Sequence, residues 1–138
     1  MPARDLYHDA VRNALIKDGW TITHDPYWMK VGGKDMFVDL GAERLLAAEK
    51  ADQKIAVESK SFISTSEMDD LKNAIGTFVI YQTALAAKEP ERRLFLAVPQ
   101  SVIKEFFEEA LGQLLLKNHL VRIIGYNSET EEITQWIL

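Results

Sequence analysis

Apolar side chains recur with helical spacing near the start of the chain, where Leu6, Ala10, Val11, Ala14 and Leu15 define one stripe within residues 3–18. Gly19 follows at the position where glycine commonly closes a helix. Arg4, His8, Arg12 and Lys17 occupy the other face. Gly19-Trp20-Thr21-Ile22-Thr23 then reads as a first strand, interrupted at His24-Asp25-Pro26 because proline supplies no ladder donor. Tyr27-Trp28-Met29 is expected to join the core, and Gly32-Gly33 marks a turn. Met36-Phe37-Val38 is a short apolar run closed by Asp39. Residues 44–50 carry Leu and Ala, which favour helix, but only Ala51-Asp52-Gln53 separates them from the next apolar run. A link of that length suits a hairpin, so 44–50 is expected to be a strand antiparallel to 54–62.

Ser66 and Asp69 resemble a helix-start signal, and the helix predicted over 67–88 is apolar at Leu71, Ala74, Ile75, Phe78, Val79, Leu85 and Ala86. Pro90 lies just beyond its end. Leu94-Phe95-Leu96-Ala97-Val98 is continuously apolar, as an interior strand covered on both faces should be. Ser101 is placed to cap a third helix carrying Val102, Ile103, Phe106, Phe107, Ala110, Leu111, Leu114 and Leu115. Residues 121–126 and 133–138 flank Asn127-Ser128-Glu129-Thr130 as a final hairpin. An apolar last strand tends to aggregate when its edge is open, so it is expected to be paired, within the chain or across a homo-oligomer interface. The order is therefore α-β-β-β-α-β-α-β-β, a single α/β domain over residues 1–138 with a mixed β-sheet flanked by helices.

Composition narrows the function. With 138 residues, 47% hydrophobic and 27% charged, the chain is large enough for one real core. It has no cysteine, which excludes a disulfide framework, a thiolate zinc site and a cysteine nucleophile. No long apolar segment and no secretory core follow Met1, so a cytoplasmic protein without a membrane span is expected. The net charge of -5 runs against generic nucleic-acid binding. A DNA-acting protein of this composition needs a local basic patch or a basic partner. His8, His24 and His119 lack metal-ligand spacing, and neither a glycine-rich phosphate loop nor a nucleophile elbow is present.

The candidate chemistry lies in Lys54-Ile55-Ala56-Val57-Glu58-Ser59-Lys60-Ser61-Phe62. Strand alternation puts Glu58 and Lys60 on one face and Ile55, Val57 and Ser59 on the other. Burying such a pair is costly, so it is either a tolerated ion pair or the wall of an open site. Asp39, upstream, supplies a second carboxylate. Two carboxylates can hold a hard divalent cation, Mg²⁺ or Mn²⁺, through oxygen, and a lysine beside them can orient or activate the water that attacks a phosphodiester. Gly41 can host a bulge that shifts side-chain parity, which leaves Asp39, Glu43 and Glu49 as alternatives facing Glu58; Asp39 is preferred and Glu43 is the reserve metal ligand. Asn73, Thr77 and Tyr81 share one helix flank, where Tyr81 can serve the lysine or a phosphate or can simply pack. His8 and Asp9 are surface residues of the first helix or supporting groups behind the metal.

Asp39 with Glu58-x-Lys60 is similar to the core motif of the PD-(D/E)XK, or restriction-endonuclease-like, superfamily. A more specific resemblance runs through most of the chain. Tyr7-His8-Asp9-Ala10-Val11, Ala14 to Pro26, Phe37-Val38-Asp39-Leu40-Gly41-Ala42-Glu43, Ala47-Ala48-Glu49-Lys50 and Ile55 to Phe62 resemble the XisH family, the controlling factors for excision of the fdxN element in heterocyst development. The resemblance implies a restriction-endonuclease-like fold, DNA as substrate, an XisI-like protein as partner, and Asp39, Glu58 and Lys60 as catalytic residues. Ser59 stands where the superfamily usually has a β-branched apolar residue, and Thr77 where a glutamine often precedes the tyrosine by four. Two functions follow: a Mg-dependent endonuclease in programmed element excision, or a non-catalytic nuclease-fold accessory protein acting with XisI.

Overall fold

The apolar runs around Val57 and Leu96 form the centre of a six-stranded sheet ordered β1-β4-β5-β6-β7-β8. A computed structural model describes residues 5–44 and 53–138. Its strands are β1 (Thr21–His24), β2 (Tyr27–Val31), β3 (Lys34–Val38), β4 (Leu40–Arg44), β5 (Gln53–Ser59), β6 (Arg92–Pro99), β7 (Ile123–Asn127) and β8 (Glu132–Ile137). Its helices are α1 (His8–Lys17), α2 (Glu67–Lys88), α3 (Gln100–Val102), which runs into a π-helical turn (Ile103–Phe107), and α4 (Ala110–Lys117). The pairs β5/β6 and β6/β7 are parallel, whereas β1/β4, β4/β5 and β7/β8 are antiparallel. The sheet is mixed, as expected. α2 forms the crossover between the parallel strands β5 and β6.

Alternation along β5 divides the core in two. Ile55 and Val57 join Leu40, Phe95 and Tyr126 beneath Val11, Ala14 and Leu15 of α1. Ala56 faces the other way and packs with Leu94, Leu96, Leu71, Phe78 and Leu85 on the α2 side. β6 is buried on both faces, which explains its unbroken apolar run. α2 has the bounds its stripe predicts, and the Ser66 side chain accepts a hydrogen bond from the Asp69 N–H, so the short capping signal is real.

Several elements depart from expectation. Five strands, not three, precede α2 among the described residues. β2 and β3 pair as a separate ribbon, and Gly32 and Gly33, with φ of +55° and +79°, form the two-residue turn that such a hairpin requires. Tyr27 and Met29 do enter the core, but Trp28 between them is exposed. The antiparallel partner of β5 is β4, ending at Arg44; the strand expected over 44–50 otherwise lies outside the described residues. The bulge falls on β1, opposite Gly41. A Cβ on Gly41 would sit 3.0–3.1 Å from His24 and Tyr27 side-chain atoms, so glycine permits that close approach. α1 begins at His8, because Asp5 turns back and its carboxylate accepts the Tyr7 N–H at 3.1 Å. The third helix is broken. A Cβ on Gly112 would lie 2.4 Å from both Phe106 O and Phe107 Cα, so α4 meets the preceding turn at van der Waals contact. β8 is paired within the chain, to β7.

The ribbon is fastened by Arg92, which is 2% exposed. Its Nε donates to Glu89 Oε1 at 2.7 Å and its Nη1 to Ile55 O at 2.9 Å, while the guanidinium lies 4.7 Å from the Tyr27 ring centroid. Tyr27 Oη donates to the same Glu89 oxygen at 2.6 Å. Burial raises the Tyr27 phenol to about 12, helped by its bond to Glu89. Burial also works against the Glu89 carboxylate, but hydrogen bonds from Arg92 and Tyr27 outweigh it and bring the group down to about 2. Removing one partner of such a buried pair strands the other, so Arg92→Ala should cost about 3–5 kcal/mol in urea unfolding. Glu89, with its lowered folded value, stabilises the fold above its ordinary value of 4.5, and that contribution is lost as pH falls toward 2. In Arg92→Ala, the loss of stability over that pH window should shrink.

Candidate functional site

The register of β4 against β5 brings the two sequence-predicted carboxylates together. Leu40 stands opposite Val57, so Asp39, one residue before β4, faces Glu58 across the antiparallel pair. Here the ladder continues through side chains: Asp39 N–H donates to Glu58 Oε1 at 3.1 Å, and Ser59 N–H donates to Asp39 Oδ2 at 2.8 Å. Each acid thereby closes a backbone vacancy on the opposite strand. Beyond the end of β5, Lys60 N–H donates to Ala97 O at 2.9 Å, and the Lys60 side chain enters the same cleft. That cleft, about 320 Å³, is walled by Asp5, Asp39, Glu58 and Lys60 and, from α2, by Asn73 and Thr77. It opens at the carboxyl end of the parallel strand β5, the place where α/β sheets most often bind ligands.

Electrostatics make the acid pair unequal. Burial raises the Glu58 carboxyl to about 9, and the neighbouring Asp39 charge adds to this. Burial also raises Asp39, but the Ser59 N–H and the nearby His8 oppose the shift. With its carboxyl pushed up to about 9 by burial, Glu58 is the member of the pair that retains a proton. Glu58 is thus neutral near pH 7, beside a carboxyl whose own rise is opposed by the Ser59 N–H. A pair that stores a proton is also one from which a cation can displace it. Two carboxylates suit a hard ion such as Mg²⁺, which usually keeps several waters and takes only one or two protein carboxylates. Among the described residues, no group of three His, Cys, Asp or Glu side chains is gathered to hold a metal.

The remaining predicted residues fall around this centre. His8 is 3% exposed and bonds Asp25 through Nε2 at 2.8 Å, so it supports Asp39 by its field and does not line the cleft. Tyr81, half-buried further along α2, feels both acids: its phenol is raised by burial and then by the Glu58 and Asp39 charges. Glu43 is not brought to the cleft. It sits opposite Lys54 and 3.4 Å from Arg92, toward the other end of β4. Glu49 lies outside the described residues.

Two residues went unnoticed in the sequence. Asp5 looked like part of the first helix, yet its Oδ1 accepts the Ser61 N–H at 3.0 Å and its Oδ2 the Ser59 hydroxyl at 3.1 Å. Asp70, in the first turn of α2, is 5% exposed and stands 3.6 Å from Lys60 Nζ.

Comparison with known proteins gives the same frame. No curated protein matches the sequence. Among solved structures, an XisH family protein from Nostoc punctiforme PCC 73102 is 40% identical, with a TM-score of 0.86, 97% of this chain and 100% of that chain being covered. A fdxN element excision controlling factor protein from Anabaena variabilis is also 40% identical, with a TM-score of 0.86 and coverage of 98% and 100%. The family model described as XisH protein matches residues 1–134. The folded domain and the acid-lined cleft at the end of β5 are those of a chain that belongs to the XisH family.

Proposed function

We propose that this protein is a divalent-metal-dependent DNA-processing factor of the XisH type, a restriction-endonuclease-like fold acting in excision of a DNA element. The observation that carries the reading is the juxtaposition of Asp39 and Glu58, whose carboxyls accept the Ser59 and Asp39 N–H groups respectively, in a cleft that Lys60 also lines. The 40% identical relative from Anabaena variabilis, a fdxN element excision controlling factor, supports the biological setting. Asp39 and Glu58 would hold Mg²⁺ or Mn²⁺, which supplies positive charge against the developing charge of a phosphodiester. Lys60 orients the attacking water and donates to a phosphate oxygen. Asn73 and Thr77 offer an amide and a hydroxyl to the same phosphate from the α2 wall, while His8 and Tyr81 tune the acids from behind.

A second reading is favoured by the net charge of -5: a non-catalytic accessory protein that meets DNA through a complex with an XisI-like partner. The two readings separate on one assay. Purified protein should nick supercoiled plasmid DNA in Mn²⁺ or Mg²⁺, and Lys60→Ala should lower the rate by about 10²-fold or more. Absence of nicking together with retained partner binding in Lys60→Ala would sink the enzymatic reading and leave the accessory one.

The Glu58 proton makes two further outcomes testable. Cation binding must displace the Glu58 proton, so Mn²⁺ affinity measured by calorimetry should rise with pH toward about 9, by up to about tenfold per unit for one proton released. Glu58 is also a stability liability in the cation-free protein. Its raised folded value means that stability present below the ordinary 4.5 is lost progressively as pH rises toward 9. Glu58→Gln keeps the shape and an oxygen to accept the Asp39 N–H and cannot ionise. Its urea midpoint should exceed that of the natural protein, by a margin that widens with pH across that interval.

A further inference from the structure

Lys60 does not stand free in its cleft. Its Nζ lies 3.6 Å from Asp70 Oδ1, and Asp70 is a residue with divided duties. Its other oxygen, Oδ2, accepts the Ser64 N–H at 3.1 Å and the Ser64 hydroxyl at 2.8 Å. One oxygen therefore ties down the connection from β5 to α2, and the second is left to the ammonium. A 5% exposed carboxylate is costly to desolvate unless its charge is answered. The first turn of α2, where Asp70 sits, contributes the favourable end of the helix dipole.

The segment between the two residues is held at several points. Ser61 N–H donates to Asp5 Oδ1 at 3.0 Å, and the Phe62 ring packs edge-on against Phe107 with centroids 6.5 Å apart. Phe62 itself has φ of +58°, a left-handed conformation that a bulky side chain adopts only when its surroundings over-determine it. A strained residue two positions after Lys60, pinned on both sides, leaves the lysine backbone little freedom. The ammonium, at the end of a flexible stem, is the part that still needs a partner.

We propose that Asp70 is the positioning residue of Lys60: it holds the ammonium at the wall of the cleft, so that the amine is already oriented when a phosphodiester enters. The proposal rests on the reading of Lys60 as the working amine of the site. Asp70 does not itself touch substrate; it acts through Lys60.

The test uses Asp70→Asn, which keeps an oxygen for Ser64 and replaces the lysine-facing oxygen by an uncharged amide. Ser64→Ala is the structural control, since it removes a contact to Oδ2 and leaves Oδ1 in place. Two quantities are measured on the full chain: Mn²⁺-dependent plasmid nicking, and the rate at which Lys60 is acetylated by an N-hydroxysuccinimide ester, read by quantitative mass spectrometry. Asp70→Asn should reduce kcat for nicking about tenfold or more with little change in KM for DNA, and should raise the Lys60 acetylation rate about threefold or more. Ser64→Ala should leave both near the natural values. Equal acetylation in Asp70→Asn and the natural protein overturns the proposal whatever the nicking shows. So does a Ser64→Ala variant that matches Asp70→Asn in both measurements, since the role would then be structural. If the natural protein does not nick DNA but the acetylation contrast holds, the hold of Asp70 on Lys60 stands and the nuclease reading falls.

Discussion

The exchange between Asp39 and Glu58 is the constraint around which the active end of the molecule is arranged. Where β4 begins, backbone pairing with β5 gives way to two carboxyl groups, each accepting a main-chain N–H from the opposite strand. Neither acid can be replaced by an apolar residue without leaving a half-buried N–H unanswered. Both cannot be ionised at such close quarters without strong repulsion, so the pair keeps a proton on Glu58. The interaction is thus structurally sound in one protonation state and electrostatically unsettled in the other. On the proposed reading, a cation would relieve that conflict by taking the place of the proton.

The surrounding fold maintains this unsettled pair by fixing everything else. Ile55, Ala56 and Val57 on β5 are fully buried, split between the α1 and α2 layers, so Glu58 cannot slip in register without moving both cores. Tyr27 lends the ribbon to the α2 side through Glu89 and Arg92, near the opposite end of β5 from the acids. The charged network around Arg92 has its hydrogen bonds met. The one around Glu58 has a proton to lose. That difference sets the two polar clusters apart more clearly than their residue types do.

Regular elements with strong local signals were legible in the sequence. α2 was readable from its stripe, the Ser66 cap and the proline beyond it, and β6 from an apolar run that only two-sided burial explains. The β2–β3 ribbon was not, because Trp28 points outward and so masks the alternation of Tyr27 and Met29. The break before α4 was hidden because its leucines continue the same stripe, with Gly112 as the lone cue. Within the site, strand parity placed Glu58 and Lys60 on one face but left Asp39, Glu43 and Glu49 open as the facing acid; Asp39 was preferred from its place at the start of the hairpin and from the family resemblance. The acids Asp5 and Asp70 were invisible because they arrive through the chain's return to the sheet, which leaves no local spacing. Glu43 illustrates the converse: it is close to Asp39 in sequence, but it is carried along β4 to the Arg92 cluster.

The acidity of the protein also takes on a different meaning once its charges are placed. A net charge of -5 would weaken contact with a phosphate backbone if it were spread evenly. Yet two of those formal negatives, Asp39 and Glu58, sit together with the Glu58 carboxyl pushed up by burial, and a third, Asp70, faces Lys60. A divalent cation bound between the first two would turn a region that repels phosphate into one that attracts it. On the proposed reading, such a site would engage a polyanion only after the cation had arrived, and an acidic protein would then need no permanently basic groove.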